Sequence, residues 1–457
     1  MKEHTQFEGK HVLVVGMARS GIGAAELLVR LGAIVTVNDS KPEEELGEEV
    51  LALKELPVIR RYGMPAMDLL EGQDILVLSP GVPDKVPFVK EAKQRGIRVI
   101  AEIELAYEAS CGRLVAVTGT NGKTTTVTLL DCMFRDAGQA SHAVGNIGYP
   151  YSQAVVSEGT DDMFVCECSS FQMETVDGFH PTAAALLNIT EDHLNRHGTM
   201  QEYTRLKMRM FEKQTEADFA VFNADDPALS GLESQVRSRV LLFSRRHEVE
   251  NGAFVRDGKV IFRLDGQETV ILPAEEIYIP GPHNLENAMA AVCIAMVSGL
   301  TAETVAYTLR TFKGVEHRIE FTRELRGVRY YNDSKGTNVD STVCAIRTMT
   351  RPTMIILGGS DKHADFTPLA KCMCESGMIA GAVLIGVTAP QIEKALLAEG
   401  FNHLEHASSM EEAVRICQEK AQDGWNVLLS PACASFDMFH DYEERGRIFK
   451  EIVHHLA

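Results

Sequence analysis

AVTGTNGKTTT, residues 116–126, joins a short apolar run to a Gly-Lys-Thr sequence typical of phosphate-binding loops. The usual loop has a glycine five residues before its Gly-Lys pair. Val117 occupies that position here, so the turn has to be made at Gly119 instead. An uncharged tight turn before a helix is the alternative, but the Lys-Thr-Thr sequence at the helix start favours a phosphate site.

The residues on both sides of this loop support the same interpretation. The run 113–119 predicts a β-strand, and 123–138 predicts a helix with apolar residues on one face. Backbone N–H groups at the start of such a helix bind phosphate oxygens. We therefore expect ATP to bind here, with Lys123 neutralising its β- and γ-phosphates and the Thr124 hydroxyl ligating Mg²⁺.

Short β-rich runs alternate with helical patterns along the rest of the chain, which indicates parallel sheets covered by helices. We predict three consecutive α/β domains: a Rossmann-like domain at 1–102, a central P-loop domain at 103–314 and a second Rossmann-like domain at 315–457. Asp-Gly pairs at 257–258 and 265–266 predict hairpins. The other predicted strands are 11–16, 33–39, 74–80, 163–170, 183–190, 219–225, 354–359, 381–386 and 426–431, and the other predicted helices are 20–32, 88–96, 283–299, 390–400 and 410–424.

The composition of the 457-residue chain is that of a soluble globular protein, with 45% hydrophobic and 24% charged residues. Its net charge of −19 argues against nucleic acid as a partner, because phosphate backbones need a basic surface. No apolar run approaches the roughly 20 residues that span a bilayer, and the polar N-terminus lacks the apolar core of a signal peptide. We expect a cytoplasmic monomer with no membrane insertion, whose ten cysteines are reduced thiols.

A carboxylate lies in an otherwise apolar predicted strand, VCECSSFQME at 165–174. An unpaired charge at Glu167 would be costly in a protein interior, so this side chain needs a partner or a metal ion. A buried ion pair and a metal site both satisfy that requirement.

The sequence NITEDHLNRHG, residues 188–198, follows another predicted strand. His193 and His197 are spaced to share one helical face, as in some zinc sites, but no third ligand is evident. Asp192 beside His193 fits a magnesium site better. The remaining alternative is a surface helix capped by Thr190 or Asp192. In YTRLKMRMFE, residues 203–212, spacing alone indicates only a solvated lysine at Lys207.

Seven motifs occur in a fixed order: A-x-T-G-T-N-G-K-T, E-x-S-S-F-Q, N-x-T-E-D-H, H-N-x-x-N, H-R-x-E, N-D-S-K-x-T-N and L-S-P-A-C-A-S-F-D. In combination they resemble the Mur ligases across essentially the whole chain. The resemblance implies an ATP-dependent amide ligase of peptidoglycan precursor synthesis, with UDP-N-acetylmuramoyl-L-alanine and D-glutamate as its substrates. It also implies that the precursor carboxylate is converted to an acyl phosphate, which the amine of D-glutamate then attacks.

The resemblance implies roles for individual residues in ATP binding and catalysis. It makes Lys123, Glu167, His193 and Lys207 catalytic, and it implies that Lys207 is carbamylated to a metal-binding carbamate. The implied Mg²⁺ ligands are Thr124, Glu167, His193 and the carbamate of Lys207. The implied ATP contacts are Gly119, Thr120, Asn121, Gly122, Lys123, Thr124, Thr125, Asn284, Asn287, Arg318 and Asp333.

The resemblance also divides the substrate contacts among the three domains. The positions that match UDP contacts in the first domain are Ala18, Arg19, Ser20, Asp39, Ser40 and Gly81. Asn146 and Ser169 match contacts of the muramoyl-alanine portion. The positions that match the D-glutamate end are Lys335, Thr337, Lys362, Ser435, Phe436 and Tyr442, the last of which is commonly phenylalanine in the family.

GMARSG, residues 16–21, offers the main alternative from a different class of protein. It nearly matches the G-x-G-x-x-G fingerprint of NAD-binding domains, and Asp39 follows at a suitable distance. Ala18 replaces the middle glycine, which would obstruct the approach of a pyrophosphate. An NAD-dependent oxidoreductase is therefore a weaker hypothesis.

A non-catalytic nucleotide-binding module is disfavoured because Lys123, Glu167, His193 and Lys207 are all present together. A folylpolyglutamate synthase would lack a comparable N-terminal UDP domain, and NDSKGTN with SPACASFD favours the D-glutamate enzyme over a sibling ligase specific for another amino acid.

Overall fold

The computed structural model describes residues 6–157, 159, 162–360 and 364–456. These residues form two compact units. The first runs from the N-terminus to Tyr278 and includes Asn284–Phe312, and the second consists of Ile279–His283 and the residues from Lys313 onward. Within the described ranges, the first unit contains two sheets and the second contains one.

The first sheet is parallel, with strand order β3-β2-β1-β4-β5 in the part of the chain described. Its strands are β1 (His11–Val15), β2 (Ile34–Asp39), β3 (Ile59–Tyr62), β4 (Ile75–Leu78) and β5 (Arg98–Ala101), and its helices are α1 (Arg19–Arg30), α2 (Pro87–Gln94) and α3 (Glu102–Ala109). Every residue of β4 is buried, as in a strand covered by helices on both faces. The carboxyl ends of β1, β2 and β4 lead into the segments predicted to bind the UDP portion.

The second sheet has the order β14-β13-β12-β11-β10-β9-β6-β8-β7 among the described strands. These are β6 (Arg113–Thr118), β7 (Ser141–Gly145), β8 (Met163–Glu167), β9 (Ala183–Leu186), β10 (Phe219–Asn223), β11 (Arg239–Ser244), β12 (Gly252–Arg256), β13 (Lys259–Leu264) and β14 (Gln267–Pro273), with helices α4 (Lys123–Asp136), α5 (Tyr151–Val156), α6 (Leu194–His197), α7 (Met200–Met208), α8 (Pro282–Val297) and α9 (Ala302–Thr311). The strands from β7 to β12 are parallel. Because β6 lies between β8 and β9, the loops that follow these three strands meet at one edge.

Both predicted hairpins are confirmed, since β12, β13 and β14 pair antiparallel. The turns place Asp257 and Asp265 at φ +50° and +51°, and the glycines that follow have φ +72° and +77°. Positive φ at both central residues defines the type I′ turn that Asp-Gly favours.

The third sheet has the order β15-β16-β20-β17-β18-β19, again for the described residues. Its strands are β15 (Glu320–Leu325), β16 (Val328–Asn332), β17 (Thr353–Leu357), β18 (Ile379–Leu384), β19 (Leu404–His406) and β20 (Asn426–Leu429), and its helices are α10 (Val339–Thr348), α11 (Thr367–Ser376), α12 (Ala389–Ala398), α13 (Met410–Lys420) and α14 (Tyr442–His455). Strand β15 is antiparallel to β16 and the others are parallel. Neighbouring strands β16 and β20 bring the segments after Asn332 and Leu429 together.

One hydrophobic core extends across the first two sheets. Val12 and Ile100 of the first sheet belong to the same buried cluster as Ala116 and Phe164 of the second. Helix α5 packs against α1 and α3, which closes the space between the sheets. The predicted division at 102/103 therefore falls inside a shared core, and the second unit begins close to the predicted division at 314/315. All ten cysteines are free thiols, and no described helix has the length and apolar character needed to cross a bilayer.

Candidate functional site

The phosphate loop turns at two glycines with positive φ. Gly119 has φ +148° and Gly122, at the N-cap of α4, has φ +86°. A Cβ atom at Gly122 would lie 2.2 Å from Oδ1 of Asn287, so the loop can approach that side chain only because the residue is glycine. Val117 is a buried residue of β6 that pairs with both neighbouring strands. The loop therefore begins after Val117, which explains why no glycine is needed there.

The segment after β9 holds the loop in place through Asn188. The side chain of Asn188 accepts a hydrogen bond from the Asn121 backbone N–H at 2.8 Å and donates one to the Asn121 carbonyl at 3.0 Å. Its own carbonyl accepts from the Thr120 N–H at 3.0 Å. Asn188 has no predicted role, although its place after a strand next to β6 is a usable signal.

Two lysines donate to the same backbone oxygen. Lys123 Nζ donates to the carbonyls of Gly119 at 2.9 Å and Thr120 at 2.7 Å, and Lys207 Nζ donates to the Gly119 carbonyl at 2.8 Å. Lys207 is 1% exposed, so the interpretation as a solvated surface lysine is wrong. Burial, together with the charge of Lys123, holds the pKa of Lys207 well below its ordinary value. Helix α7 turns Lys207 into the interior, where its ammonium also lies 4.5 Å from the centre of the Tyr203 ring.

Glu167 is a buried carboxylate with two neutral hydrogen-bond donors. Thr124 Oγ1 donates to Oε2 at 2.9 Å, and Asn146 Nδ2 donates to Oε1 at 2.9 Å. Strand β8 ends at this residue rather than at 170, because Ser169 turns back and bonds through its N–H and hydroxyl to the Gln172 side chain. The hydroxyl of Thr124 and the carboxylate of Glu167 are oxygen donors of the kind that Mg²⁺ prefers, so this pair fits the expected metal.

The two histidines after β9 both lie beside the Phe171 ring but differ in exposure and in their polar partners. His197 is buried, and its Nε2 lies 3.0 Å from the Ser170 hydroxyl, while its ring stacks on Tyr203. The side chain of His193 is 37% exposed and packs on Phe171. These surroundings give no support to a zinc pair. The alternative of a helix capped by Thr190 or Asp192 is also wrong, because the N-cap of α6 is His193 itself, at φ +54°.

The predicted UDP-binding residues gather at one edge of the first sheet. Asp39 accepts hydrogen bonds from the N–H groups of Met17 at 2.8 Å and Lys41 at 3.0 Å, which ties the end of β2 to the loop after β1. Ser79 Oγ donates to the Gly16 carbonyl at 2.6 Å, which joins the segment after β4 to the same loop. The residues that these bonds bring to the edge are Ala18 at the N-cap of α1, Arg19, Ser20, Ser40 and Gly81.

In α8, the two asparagines predicted to contact ATP are buried and bonded to each other. Asn287 Nδ2 donates to Asn284 Oδ1 at 3.3 Å. Asn287 is also the side chain that approaches Gly122, so α8 lies against the phosphate loop. Thr125, in the first turn of α4, is buried, and its hydroxyl has no hydrogen-bond partner within the described residues.

The segment after β16 in the second unit carries a buried acid. Asp333 accepts hydrogen bonds from the Ile319 N–H at 3.2 Å and the Ser430 hydroxyl at 2.6 Å. Burial raises the pKa of Asp333 to about 6, although the nearby charge of Arg318 opposes that shift. The Nε atom of Arg318 is buried and has no hydrogen-bond partner among the residues described. The Nε–H group of Arg318 can therefore donate a hydrogen bond to a ligand.

Several residues predicted for the D-glutamate end lie on two segments joined by a buried arginine. Lys335 Nζ lies 5.2 Å from the centre of the Tyr442 ring, and Thr337 follows on the same segment. Arg445 donates from Nε and Nη2 to the Ser334 hydroxyl and carbonyl, and from Nη1 to the carbonyls of Cys433 and Ala434. Arg445 is fully buried, and burial lowers its pKa to about 10. No periodic pattern in the sequence indicates a buried role for this arginine.

The remaining predicted positions of that group differ in exposure. Ser435 is buried at 2% and Phe436 is 73% exposed, so the two neighbours point in different directions. The hydroxyl of Tyr442 donates to Glu443 Oε1 at 3.1 Å. Lys362 lies outside the described residues.

Comparison with known proteins identifies related sequences over nearly the whole chain. The MurD-like N-terminal domain of Mur ligases matches residues 10–101, the Mur ligase middle domain matches 117–295, and the glutamate ligase domain of Mur ligases matches 317–433. The UDP-N-acetylmuramoylalanine–D-glutamate ligase of a Thermoanaerobacter species is 45% identical over 453 residues, which cover 99% of each chain. The enzyme of the same name from Pelotomaculum thermopropionicum is 46% identical over 451 residues, 98% of each chain.

A solved structure shares the fold at lower identity. The pseudomurein peptide ligase type C from Methanothermus fervidus aligns with a TM-score of 0.61 at 18% identity, and the alignment covers 98% of this chain and 99% of that one. This likeness supports the three-part α/β architecture.

Proposed function

The chain belongs to the Mur ligase family, and we propose that it joins D-glutamate to UDP-N-acetylmuramoyl-L-alanine, with cleavage of ATP to ADP and phosphate, in peptidoglycan precursor synthesis. The observation that carries this proposal is the hydrogen bond of 2.9 Å between Thr124 Oγ1 and Glu167 Oε2 at the start of α4. It places a carboxylate and a hydroxyl beside a phosphate loop whose Gly119 carbonyl accepts hydrogen bonds from both Lys123 and Lys207. This combination suits the meeting of two anionic reactants, which phosphate binding alone would not require.

The reaction follows from these groups. A carboxylate oxygen of the precursor attacks the γ-phosphorus of ATP, the bond to the β-phosphate oxygen breaks, and ADP leaves. The amine of D-glutamate then attacks the acyl phosphate carbonyl and loses a proton, and phosphate departs from the tetrahedral intermediate. The N–H groups at the start of α4 and the ammonium of Lys123 hold the phosphates. Bound Mg²⁺ supplies charge neutralisation at the transferring phosphoryl group, and we propose that Thr124, Glu167, His193 and the Lys207 carbamate hold it.

Burial of Lys207 supports its proposed carbamylation. A lysine in a dry environment favours the uncharged amine, which is the form that reacts with CO₂. The nitrogen of the uncharged amine bonds to the carbon of CO₂ and releases one proton, so that a neutral amine becomes an anionic carbamate. The carbamate would then add an oxygen ligand near Glu167, where an unmodified ammonium would repel a metal ion.

The other predicted contacts belong to the same proposal. We propose that Asn146 and Ser169 contact the muramoyl-alanine portion. Asn146 donates a hydrogen bond to Glu167, and Ser169 follows Glu167 closely in the sequence. We further propose that the enzyme is a cytoplasmic monomer with domains at 1–102, 103–314 and 315–457. The proposed UDP contacts are Ala18, Arg19, Ser20, Asp39, Ser40 and Gly81; the proposed ATP contacts are Gly119, Thr120, Asn121, Gly122, Lys123, Thr124, Thr125, Asn284, Asn287, Arg318 and Asp333; and the proposed D-glutamate contacts are Lys335, Thr337, Lys362, Ser435, Phe436 and Tyr442.

Phosphate release with UDP-N-acetylmuramoyl-L-alanine and a panel of amino acids tests the function. We expect turnover with D-glutamate and at least a hundredfold less with L-glutamate, L-lysine or diaminopimelate. Lys123→Ala serves as the control, since it should lose turnover and retain the melting temperature. Preferred turnover with L-lysine or diaminopimelate would assign the chain to a sibling ligase, and NADH binding without phosphate release would support the oxidoreductase hypothesis.

A further inference from the structure

Arg196 lies in α6 and uses all three nitrogens of its guanidinium group in contacts. Its Nε and Nη2 donate to the two carboxylate oxygens of Glu174 at 2.8 and 2.6 Å. Its Nη1 donates to the Pro80 carbonyl at 2.9 Å, and Nη2 also donates to the Val82 carbonyl at 3.3 Å. The guanidinium carbon lies 4.1 Å from the centre of the Phe171 ring. The Arg196 side chain is only 14% exposed and that of Glu174 only 6%.

The two carbonyls belong to the turn 79–82, which follows β4. This turn closes through a hydrogen bond from the Val82 N–H to the Ser79 carbonyl at 2.9 Å. The Ser79 hydroxyl fastens it to the Gly16 carbonyl, so the turn and the loop after β1 form one surface. A Cβ atom at Gly81 would meet nothing within 4 Å, which leaves that position open to a ligand.

Glu174 belongs to the segment that follows the catalytic strand β8. Arg209 anchors the backbone there by donating to the carbonyls of Met173 and Glu174, each at 2.7 Å. Glu174 also accepts a hydrogen bond from the Asp84 N–H at 3.3 Å, just past the turn. Arg196 itself bonds through its N–H to the His193 carbonyl at 3.0 Å. One guanidinium thus joins the segments that follow β4, β8 and β9.

We infer that Arg196 is a positioning residue that holds the turn 79–82 in register with Glu167 and His193. This inference rests on the proposed function, in which a single precursor reaches from the UDP-binding edge to the reacting carboxylate. Such a substrate binds well only when the spacing between its two end sites matches its length, because a misplacement of about 1 Å costs much of the advantage of positioning. Only arginine supplies the planar fork of donors that these contacts use, so lysine would keep the charge and lose the geometry.

Arg196→Lys tests the inference with least disturbance, since the buried Glu174 keeps a cationic partner. We expect kcat/KM for UDP-N-acetylmuramoyl-L-alanine to fall at least tenfold, while KM for ATP changes less than twofold. The dissociation constant of UDP alone should change by less than that of the precursor, because UDP occupies only one end. Arg205→Lys is the matched control: Arg205 forms a similar two-pronged pair with Glu202 but is 56% exposed, and its variant should retain all four values.

The outcomes separate this inference from the proposed function. Absence of D-glutamate-dependent turnover in the unmodified enzyme would count against the function, whatever Arg196 does. Equal losses for ATP and precursor in Arg196→Lys, or no loss for either, would overturn the positioning role. Should that variant unfold, Glu174→Gln keeps the arginine and the side-chain volume, and we expect the same selective loss of precursor affinity.

Discussion

Lys207 is buried in the protein interior, where a charged ammonium is unfavourable. Burial therefore favours the uncharged amine, which is the form that can be carbamylated. We expect Lys207→Ala to lose at least a hundredfold in turnover, because the cavity retains no ligand in place of the carbamate. Formate or acetate at tens of millimolar should restore part of the activity by supplying a carboxylate at the same place. Phosphate release measured against added carboxylate checks this. Lys213→Ala is the control. Lys213 lies exposed a short distance after α7, so its variant should behave like the unmodified enzyme and show no response to acetate.

Burial raises the pKa of Asp333 to about 6, so we expect its carboxyl group to change charge between pH 5 and pH 7.5. If the ionised carboxylate binds ATP, only about one molecule in ten is competent at pH 5. We therefore expect KM for ATP to rise roughly tenfold between pH 7.5 and pH 5. Asp333→Asn should have a higher KM at pH 7.5 and little dependence on pH over that range. The exposed Asp423→Asn should keep the unmodified profile; an Asp333→Asn enzyme that also kept it would exclude this carboxylate as the titrating group.

At individual residues, the sequence predicted which side chains carry chemistry better than it predicted what surrounds them in the fold. The loop lysine Lys123 and the buried carboxylate Glu167 were identified from residue type and context, because both lie directly beside a predicted strand. Spacing gave Lys207 no role, since nothing in a helical pattern shows that one turn faces a charged interior. Arg196 and Arg445 were also missed, because their partners are backbone carbonyls far away in the sequence.

The phosphate loop depends on glycine at position 122 for two separate reasons, a positive φ and the closeness of Asn287. Gly122→Ala would bring Cβ to 2.2 Å from Asn287 Oδ1, so the loop or α8 has to move. We expect at least a tenfold fall in kcat/KM for ATP. Gly138→Ala is the matched control: Gly138 has φ +77° but no atom within 4 Å of its Cβ position, so it should cost about 1 kcal/mol of stability without loss of activity. Full activity in Gly122→Ala would contradict the importance of close approach.

Elements with a strong local signal were predicted and others were not. The strand, loop and helix at 113–136 and the Asp-Gly hairpins were found because both depend on residues that are close in the sequence. Strand β3 (Ile59–Tyr62) was missed, since most of it is exposed at the edge of the sheet and shows no apolar pattern. The strand that begins at Met163 was predicted to reach residue 170 but ends at Glu167. The prediction was too long because the turn after this strand depends on the contact between Ser169 and Gln172.

At the scale of the whole molecule, the described residues form three sheets in two compact units. Sequence alternation identifies sheets, because each repeats the same strand and helix pattern. It does not show which sheets share a core, since that depends on contacts such as those of α5 with α1 and α3. A shared core in the first unit gives a physical basis for a fixed spacing between the UDP-binding edge and the phosphate loop, on which the role of Arg196 depends.

Glu102, at the start of α3, makes the stability of this shared core depend on pH. It is 1% exposed, Ser152 of α5 donates to its Oε1 from both N–H and hydroxyl, and burial raises its pKa despite these bonds. Because the pKa of Glu102 is higher in the folded state than in the unfolded state, the protonated carboxyl group stabilises the fold. This contribution is complete at pH values below the pKa of the unfolded state and is lost as the pH rises through the pKa of the folded state. Glu102→Gln keeps the acceptor for Ser152 and cannot ionise, so its melting temperature should exceed that of the unmodified protein by more at pH 8.5 than at pH 5.5. Calorimetry at both pH values checks this, with the exposed Glu71→Gln as the charge-matched control; a difference independent of pH would show that Glu102 is ionised throughout.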